Sequence, residues 1–325
     1  MRGRRGGGVG GFLLRRVALG VLTIAIASLA VFAATQALPG DPARARLGKD
    51  ATPASLAALR EQLGLGRPVI QQYTDWVTGL LHGDLGNSLI SGHPIWDDLG
   101  DRVQNSAFLV LVAALISIPL SLVIGAYAAL YRDSVVDTVS GVVLLVLAAM
   151  PEFVVGLLLV AVFATTVFTV LPAVSIIAPG TAPYADLSKI WLPAFTLVLA
   201  VAPYVARIMR ASMVEVLESE YVEMARLKGL PERTVVWRHA VPNALGPTFQ
   251  VIALNLAYLA GGVIVVESIF NYPGIGIALR DAVLNRDFTT VQAVAMLIAV
   301  VYVVTNLLAD VATILVTPRL RTGLR

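Results

Sequence analysis

Cysteine is absent from this 325-residue chain, so disulfides, thiol nucleophiles and thiolate metal sites are excluded. Histidine is nearly absent too, and the three residues His82, His93 and His239 are scattered without HExxH spacing. No GxxxxGK(S/T) phosphate loop occurs, so the chain cannot hydrolyse ATP by that route. We therefore expect no catalytic residue, no metal and no cofactor bound by this chain.

Charge is also scarce, at 14% of residues against 57% apolar letters, with a mean hydropathy of +0.80. That is more apolar sequence than one soluble core could bury. The net charge of +3 and pI near 9.3 would suit nucleic acid, but the basic residues cluster at the ends of apolar runs, as membrane topology arranges them. We predict a bilayer protein that binds no nucleic acid.

Six windows are apolar over the roughly 20 residues that a spanning helix needs. They are 12–35, 106–130, 139–171, 192–209, 249–266 and 291–316. The fold class predicted from them is all-α, a polytopic membrane protein with about six transmembrane helices.

The N-terminus combines several arginines with an apolar run, a pattern that a signal peptide shares. The run from Val17 to Ala37 is long enough to span a bilayer and exceeds a typical signal-peptide core. We therefore predict a flexible basic segment at 1–11 and an uncleaved first transmembrane helix at 12–37.

The window 139–171 would extend about 50 Å as one helix against a hydrocarbon core of about 30 Å. Pro151 in its middle would kink or break it, leaving either one broken crossing or two crossings. With one crossing, most basic residues fall on the cytoplasmic side; with two, the most basic internal loop would face outward. We favour one crossing, six helices and both termini in the cytoplasm.

This topology places each of the two long polar stretches on one side of the membrane. Residues 38–104 form an external segment, and the transmembrane core at 105–317 holds five further helices and an internal loop at 212–245, followed by a cytoplasmic tail at 318–325.

Within the external segment, the pair Thr52 and Pro53 predicts a helix start, and apolar residues then recur at helical spacing until glycines stop the helix. These are Leu56, Leu59 and Leu63, then Gly64 and Gly66. Trp76, Leu80 and Leu81 indicate a second amphipathic helix.

Polar groups within apolar windows are candidate pore or cavity residues: Pro151, Glu152 and Asn255. The acid and the amide each have a purely structural interpretation as well. Glu152 could simply begin a helix after the proline, and Asn255 could form an interhelical hydrogen bond.

The internal loop reads as a short helix, a turn at 229–231 and a second helix entering the membrane. Val222, Ala225 and Gly229 fall at helical spacing and predict a face of small residues that another backbone could approach. Nearby basic residues, including Arg226, would suit docking on a partner protein.

The pattern Glu-x-Ala, three residues, Gly, nine residues and His-x-Val-Pro resembles the EAA loop of ABC-importer permeases. Glu223, Ala225 and Gly229 match its core positions, whereas Met224 and His239 depart from the usual residues. The resemblance implies that this loop is the coupling helix on the ATPase, with Arg226 and Arg238 in support.

Five further segments resemble the dipeptide/oligopeptide/nickel branch of these permeases: 38–42 (LPGDP), 59–65 (LREQLGL), 83–88 (GDLGNS), 238–240 (RHA) and 267–276 (ESIFNYPGIG). The large external segment after the first helix resembles the first of the two paired permeases of that branch. The resemblance covers nearly the whole chain and implies a type I ABC importer permease fold.

That family implies a second homologous permease, two ABC ATPase subunits that bind the ATP and Mg, and an extracytoplasmic substrate-binding protein. The permease itself would be no enzyme. Short peptides are the expected cargo, with nickel or another small cargo as the alternative.

Two other classes of protein stay open. An ion-coupled secondary carrier should show paired, inverted broken helices, whereas only the break at Pro151 is evident in the sequence. The other class is an intramembrane enzyme that uses Glu152 or His239 as a base.

Overall fold

The structure is a computed structural model that describes residues 9–37, 42–47, 51–62, 64 and 66–316. The predicted tail at 318–325, the segment 1–8 and the motif at 38–41 lie outside these residues, as do Leu63 and Leu65. Within the described ranges the chain is helical, as the apolar windows predicted.

Thirteen α-helices occur in the described ranges. In chain order they are α1 (Val9–Ala37), α2 (Pro42–Leu47), α3 (Pro53–Gln62), α4 (Val69–Leu81), α5 (Ile95–Leu130), α6 (Val135–Ala149), α7 (Glu152–Val160), α8 (Trp191–Leu217), α9 (Glu220–Leu227), α10 (Glu232–Thr234), α11 (Val241–Phe270), α12 (Ile275–Leu284) and α13 (Phe288–Val316). Single π-helical turns extend α7 through Thr165 and join α10 to α11.

Four of these helices, α1, α5, α8 and α13, are individually long and apolar enough to cross a membrane. Two bent pairs meet the same test when each pair is taken together, α6 with α7 and the two halves of α11. The described part of the chain therefore provides up to six spans, the number predicted.

Helix α1 begins at Val9 rather than near Phe12, so the predicted flexible segment at 1–11 is wrong for its last three residues. Gly10 and Gly11 are poor helix formers, but extending an existing long helix avoids the cost of nucleation. Helix α1 packs against α13, where Arg16 pairs with Asp310 at 3.1 Å.

The helix predicted at Thr52 and Pro53 is present as α3, and the Thr52 hydroxyl accepts a hydrogen bond from the Ser55 backbone N–H at 3.2 Å. The second predicted helix is α4. Its Tyr73 and Trp76 pack on Phe32 of α1 with ring centroids 5.3 and 5.7 Å away, which fixes this segment to the first span.

Pro151 separates α6 from α7, and the two helices are bent by 106°. Arg210, near the end of α8, binds Asp137 at the start of α6. Beyond α7, the Ser175 N–H donates to the Phe270 carbonyl at the other end of the bundle, 2.7 Å away, which anchors this loop to the C-terminal end of α11. The chain from Asp137 to Ser175 therefore connects the two ends of the bundle, and one broken crossing stays the prediction for it.

A second bend, of 48°, divides α11 between Leu259 and Gly261. Only the Pro151 break is evident in the sequence, and the structure adds this second bend. Two consecutive glycines, Gly261 and Gly262, follow the bend, and glycine lowers helical stability by about 1 kcal/mol per residue relative to alanine.

The centre of the bundle is the crossing of α5 and α8, whose buried residues include Leu109, Leu197 and Val201. Gly125 permits the closest approach, because a Cβ atom there would lie 2.7 Å from the Met209 Cβ and 3.0 Å from the Arg210 N. A small residue at a helix crossing lets two backbones meet, as is usual in membrane bundles.

Gly125→Ala should therefore destabilise the protein by about 1–3 kcal/mol, since the added methyl overpacks the crossing. Gly141→Ala on α6 is the matched control, because a Cβ there meets nothing within 4 Å, and it should be neutral or slightly stabilising. Thermal unfolding of the two purified variants in detergent provides the comparison. Equal melting temperatures would contradict the close approach.

Candidate functional site

Helix α9 is the short helix predicted in the internal loop, but its small residues face inward. Val222 is fully buried and Ala225 is 6% exposed, and both pack with Val235 from the turn that follows α10. The predicted docking face is therefore wrong for Val222 and Ala225. Sequence spacing shows that the two residues share a face of the helix. That face is turned toward the protein interior because Val235 packs against it.

The opposite side of α9 is exposed and partly apolar. Leu227 is 75% exposed, and Tyr221 and Met224 are about half exposed. Glu223 lies on this exposed side as well. A row of exposed apolar side chains outside the membrane-spanning helices is a surface suited to a protein partner.

Gly229 ends α9 in the left-handed region, with φ of +74°, and a Cβ there would meet nothing within 4 Å. Glycine is thus needed at this position for its backbone conformation and not to leave space for a partner. Arg226 closes the turn by a bidentate pair with Glu232, at 2.6 and 3.1 Å, which raises the pKa of the Arg226 guanidinium.

The π-helical turn beyond α10 carries Arg238, which is exposed, and the adjacent Trp237, whose side chain is 67% exposed. We call six exposed side chains of α9 and of this turn the α9 surface: Tyr221, Glu223, Met224, Leu227, Trp237 and Arg238. Of the predicted coupling residues, Glu223 and Arg238 are among these exposed side chains.

Glu152 is the first residue of α7 and is half-buried. Its Oε2 accepts a hydrogen bond from the Tyr258 hydroxyl of α11 at 2.8 Å. The carboxylate lines a cavity of about 500 Å³ with Tyr258, Gly261, Gly262 and Tyr302 among its walls. Pro151, immediately before it, is exposed and ends the preceding helix.

Asn255, one helical turn before Tyr258, lines a second cavity of about 850 Å³. Its Nδ2 donates to the Val251 carbonyl of the same helix at 2.8 Å, rather than across to another helix. Two arginines of α8 line the same cavity. Arg210 is held by the buried Asp137 through two bonds of 2.5 and 2.6 Å, whereas Arg207 is exposed.

A buried acid that the sequence did not single out lies at the other end of α11. Glu267 is fully buried; its Oε1 accepts a hydrogen bond from the Ser106 hydroxyl of α5, and its Oε2 accepts from the Gly276 N–H at 2.7 Å. Ser106 in turn accepts from the Ile275 N–H at 2.9 Å. These bonds join α5, α11 and α12 in a cluster that we call the Glu267 clamp.

The clamp is completed by Tyr272, whose hydroxyl donates to the Asn105 carbonyl at 2.8 Å, and by Asn105 Nδ2, which donates to the Pro273 carbonyl at 2.9 Å. Burial, and then the nearby Glu267, raise the pKa of Tyr272. The motif at 267–276 was visible in the sequence, but its role as a clamp was not, because its partners on α5 are distant along the chain.

Helices long and apolar enough for up to six crossings are typical of a polytopic membrane protein, and cavities lined by charged side chains are typical of transport proteins. Comparison with known proteins identifies the family. Residues 10–121 match the model described as the N-terminal part of a binding-protein-dependent transport system membrane component, and residues 121–322 match the inner membrane component of such systems. The chain belongs to this family of inner-membrane permease subunits.

Two relatives match over nearly their full lengths. A probable peptide ABC transporter permease protein, y4tP, of Sinorhizobium fredii is 34% identical over 96% of this chain and 100% of its own. The glutathione transport system permease protein GsiC of Escherichia coli (strain CFT073) is 34% identical over 95% of this chain and 98% of its own. A crystal structure of an amino acid ABC transporter with histidines shares 18% identity at a TM-score of 0.47, covering 67% of this chain and 92% of that one.

Glu267→Leu tests the clamp, because it keeps a similar volume but leaves the buried Gly276 N–H and Ser106 hydroxyl without their acceptor. We expect a loss of about 2–4 kcal/mol in stability. Ser268→Ala, which removes only a bond within α11, is the control. Thermal unfolding of the purified chain in detergent measures both, and a variant Glu267→Leu as stable as Ser268→Ala would refute the clamp.

Proposed function

We propose that this chain is one permease subunit of an ATP-driven importer that moves short peptides across a bacterial inner membrane. The single observation that carries the proposal is the α9 surface, an exposed apolar row on a helix that is otherwise anchored inside the protein. In this scheme two partner ATPases bind the ATP and Mg, and the permease makes no covalent bond.

The α9 surface is the proposed contact with an ATPase. Leu227, Met224 and Tyr221 supply apolar side chains for a groove, and Glu223 and Arg238 supply charge at its edge. Ala225, Arg226 and Gly229 support this surface from behind: Ala225 by packing, Arg226 by its pair with Glu232, and Gly229 by its backbone conformation. Basic residues on this end favour a cytoplasmic location for it and for both termini.

The two cavities along α11 are the proposed translocation path. Glu152 and Asn255 line them, and Pro151 places Glu152 there by breaking the span. Because charged or amide side chains are costly against lipid, a cavity shared with a second, homologous permease is the environment that suits them. An extracytoplasmic binding protein would deliver the cargo at the opposite end.

Peptides are proposed as cargo because the two relatives named above carry peptide and glutathione transport in their names. Both names describe cargo with peptide or amide linkages, which favours peptides over nickel.

Leu227→Glu should abolish docking, since it places a charge at the centre of the apolar row. We expect uptake to fall on the order of tenfold or more, with normal accumulation of the chain in the membrane and loss of the co-purifying ATPase. Glu215→Gln, an exposed change on α8, is the control and should leave both unchanged. Normal ATPase co-purification in Leu227→Glu would contradict the assignment of this surface.

The cargo is tested by uptake of labelled dipeptide, glutathione and nickel in cells with and without this chain. Loss of dipeptide or glutathione uptake alone is the expected result. Loss of nickel uptake alone would overturn the peptide assignment while leaving the permease assignment intact.

A further inference from the structure

Glu152 is a carboxylate without a countercharge. Tyr258 is its hydrogen-bond partner, at 2.8 Å, and among the described residues no lysine or arginine pairs with it. Elsewhere in the bundle, Asp137 has Arg210 and Glu267 has the clamp. The exposed arginine of α8, Arg207, lines the other cavity.

Two of the residues that line the cavity with Glu152 are glycines, Gly261 and Gly262, and have no side chain. A Cβ at Gly261 would meet nothing within 4 Å, and one at Gly262 would lie 3.1 Å from the Glu152 Oε2. The cavity of about 500 Å³ falls within the usual range for small-molecule sites. The carboxylate therefore packs close to the backbone at Gly262, and a ligand group would reach it from the cavity that it lines.

Two tyrosines line the cavity beside the carboxylate. Tyr258 and Tyr302 are each about half exposed, and Leu254 and Ala257 supply apolar wall. A carboxylate beside aromatic rings attracts a cation by charge and by the ring faces. Hard divalent ions need several oxygen ligands, and no group of three or more acidic or histidine side chains that could hold a metal occurs among the described residues.

We propose that the Glu152 cavity is a binding site for an ammonium group of the cargo, with Glu152 as the charge partner and Tyr258 as its positioning residue. The inference rests on the proposed function, since it assumes that the cavity lies on the translocation path. For a peptide the ammonium is the amino terminus or a lysine side chain.

The chain has no cysteine, so single cysteines report on the cavity directly. In the assembled transporter, without ATP or binding protein, Gly261→Cys is labelled with a thiosulfonate reagent that carries a quaternary ammonium group and with one that carries a sulfonate. Adducts on this chain are measured by mass spectrometry. Tyr302→Cys, which lines the Glu152 cavity and not the other one, serves if Gly261→Cys does not assemble, and Thr138→Cys in the other cavity is the control.

We expect the ratio of ammonium to sulfonate labelling rates to fall on the order of tenfold when Glu152→Gln is added to Gly261→Cys. The ratio at Thr138→Cys should not change. An unchanged ratio at Gly261→Cys would overturn the proposal. Because this readout needs no transport, it is independent of the cargo assignment: preserved preference with no peptide uptake would leave the site standing and refute the peptide importer.

Competition identifies the source of the ammonium. Dialanine should slow the ammonium reagent only in the chain with Glu152, and N-acetyl-dialanine should not. Protection by N-acetyl-alanyl-lysine would show that a side-chain ammonium also binds. Equal protection by dialanine and N-acetyl-dialanine would overturn the proposal.

Discussion

The structure depends on one constraint, that backbone N–H and C=O groups inside a bilayer must be hydrogen-bonded within the protein. Helices satisfy it, so an interruption is tolerated only where other groups take up the freed bonds. At Pro151, the Tyr204 hydroxyl of α8 donates to the Ala148 carbonyl at the end of α6, 3.2 Å away. The Pro151 carbonyl accepts from the Val154 and Val155 N–H groups at 3.0 and 3.3 Å, so α7 begins at once and places Glu152 at the edge of a cavity.

The same constraint applies to charge, and three acids of the bundle satisfy it in different ways. Asp137 is paired with Arg210, and Glu267 is hydrogen-bonded to Ser106 and Gly276. Both are buried and both join helices, so their role is structural. Glu152 has one hydroxyl partner and an open cavity, which is why it is the acid to which we assign a ligand.

Much of the fold could be predicted because apolar length and helix signals are local properties of the sequence. The break at Pro151, the start of α3 and the turn at Gly229 all follow from adjacent residues. What could not be predicted depends on partners far along the chain. Ser106 lies 161 residues from Glu267, and burial of Val222 by Val235 required the return of the chain after α10.

The inward face of α9 also bears on how ATP hydrolysis would move the pore under the proposed function. Val222 and Ala225 pack with Val235, and Val216 at the end of α8 packs on the same cluster. A displacement of α9 by an ATPase would therefore reach α8 through tightly packed side chains rather than through a flexible linker. The ion pair of Arg210 with Asp137 holds α8 to α6. A movement of α8 would therefore be passed to α6 and to Glu152, which begins the next helix.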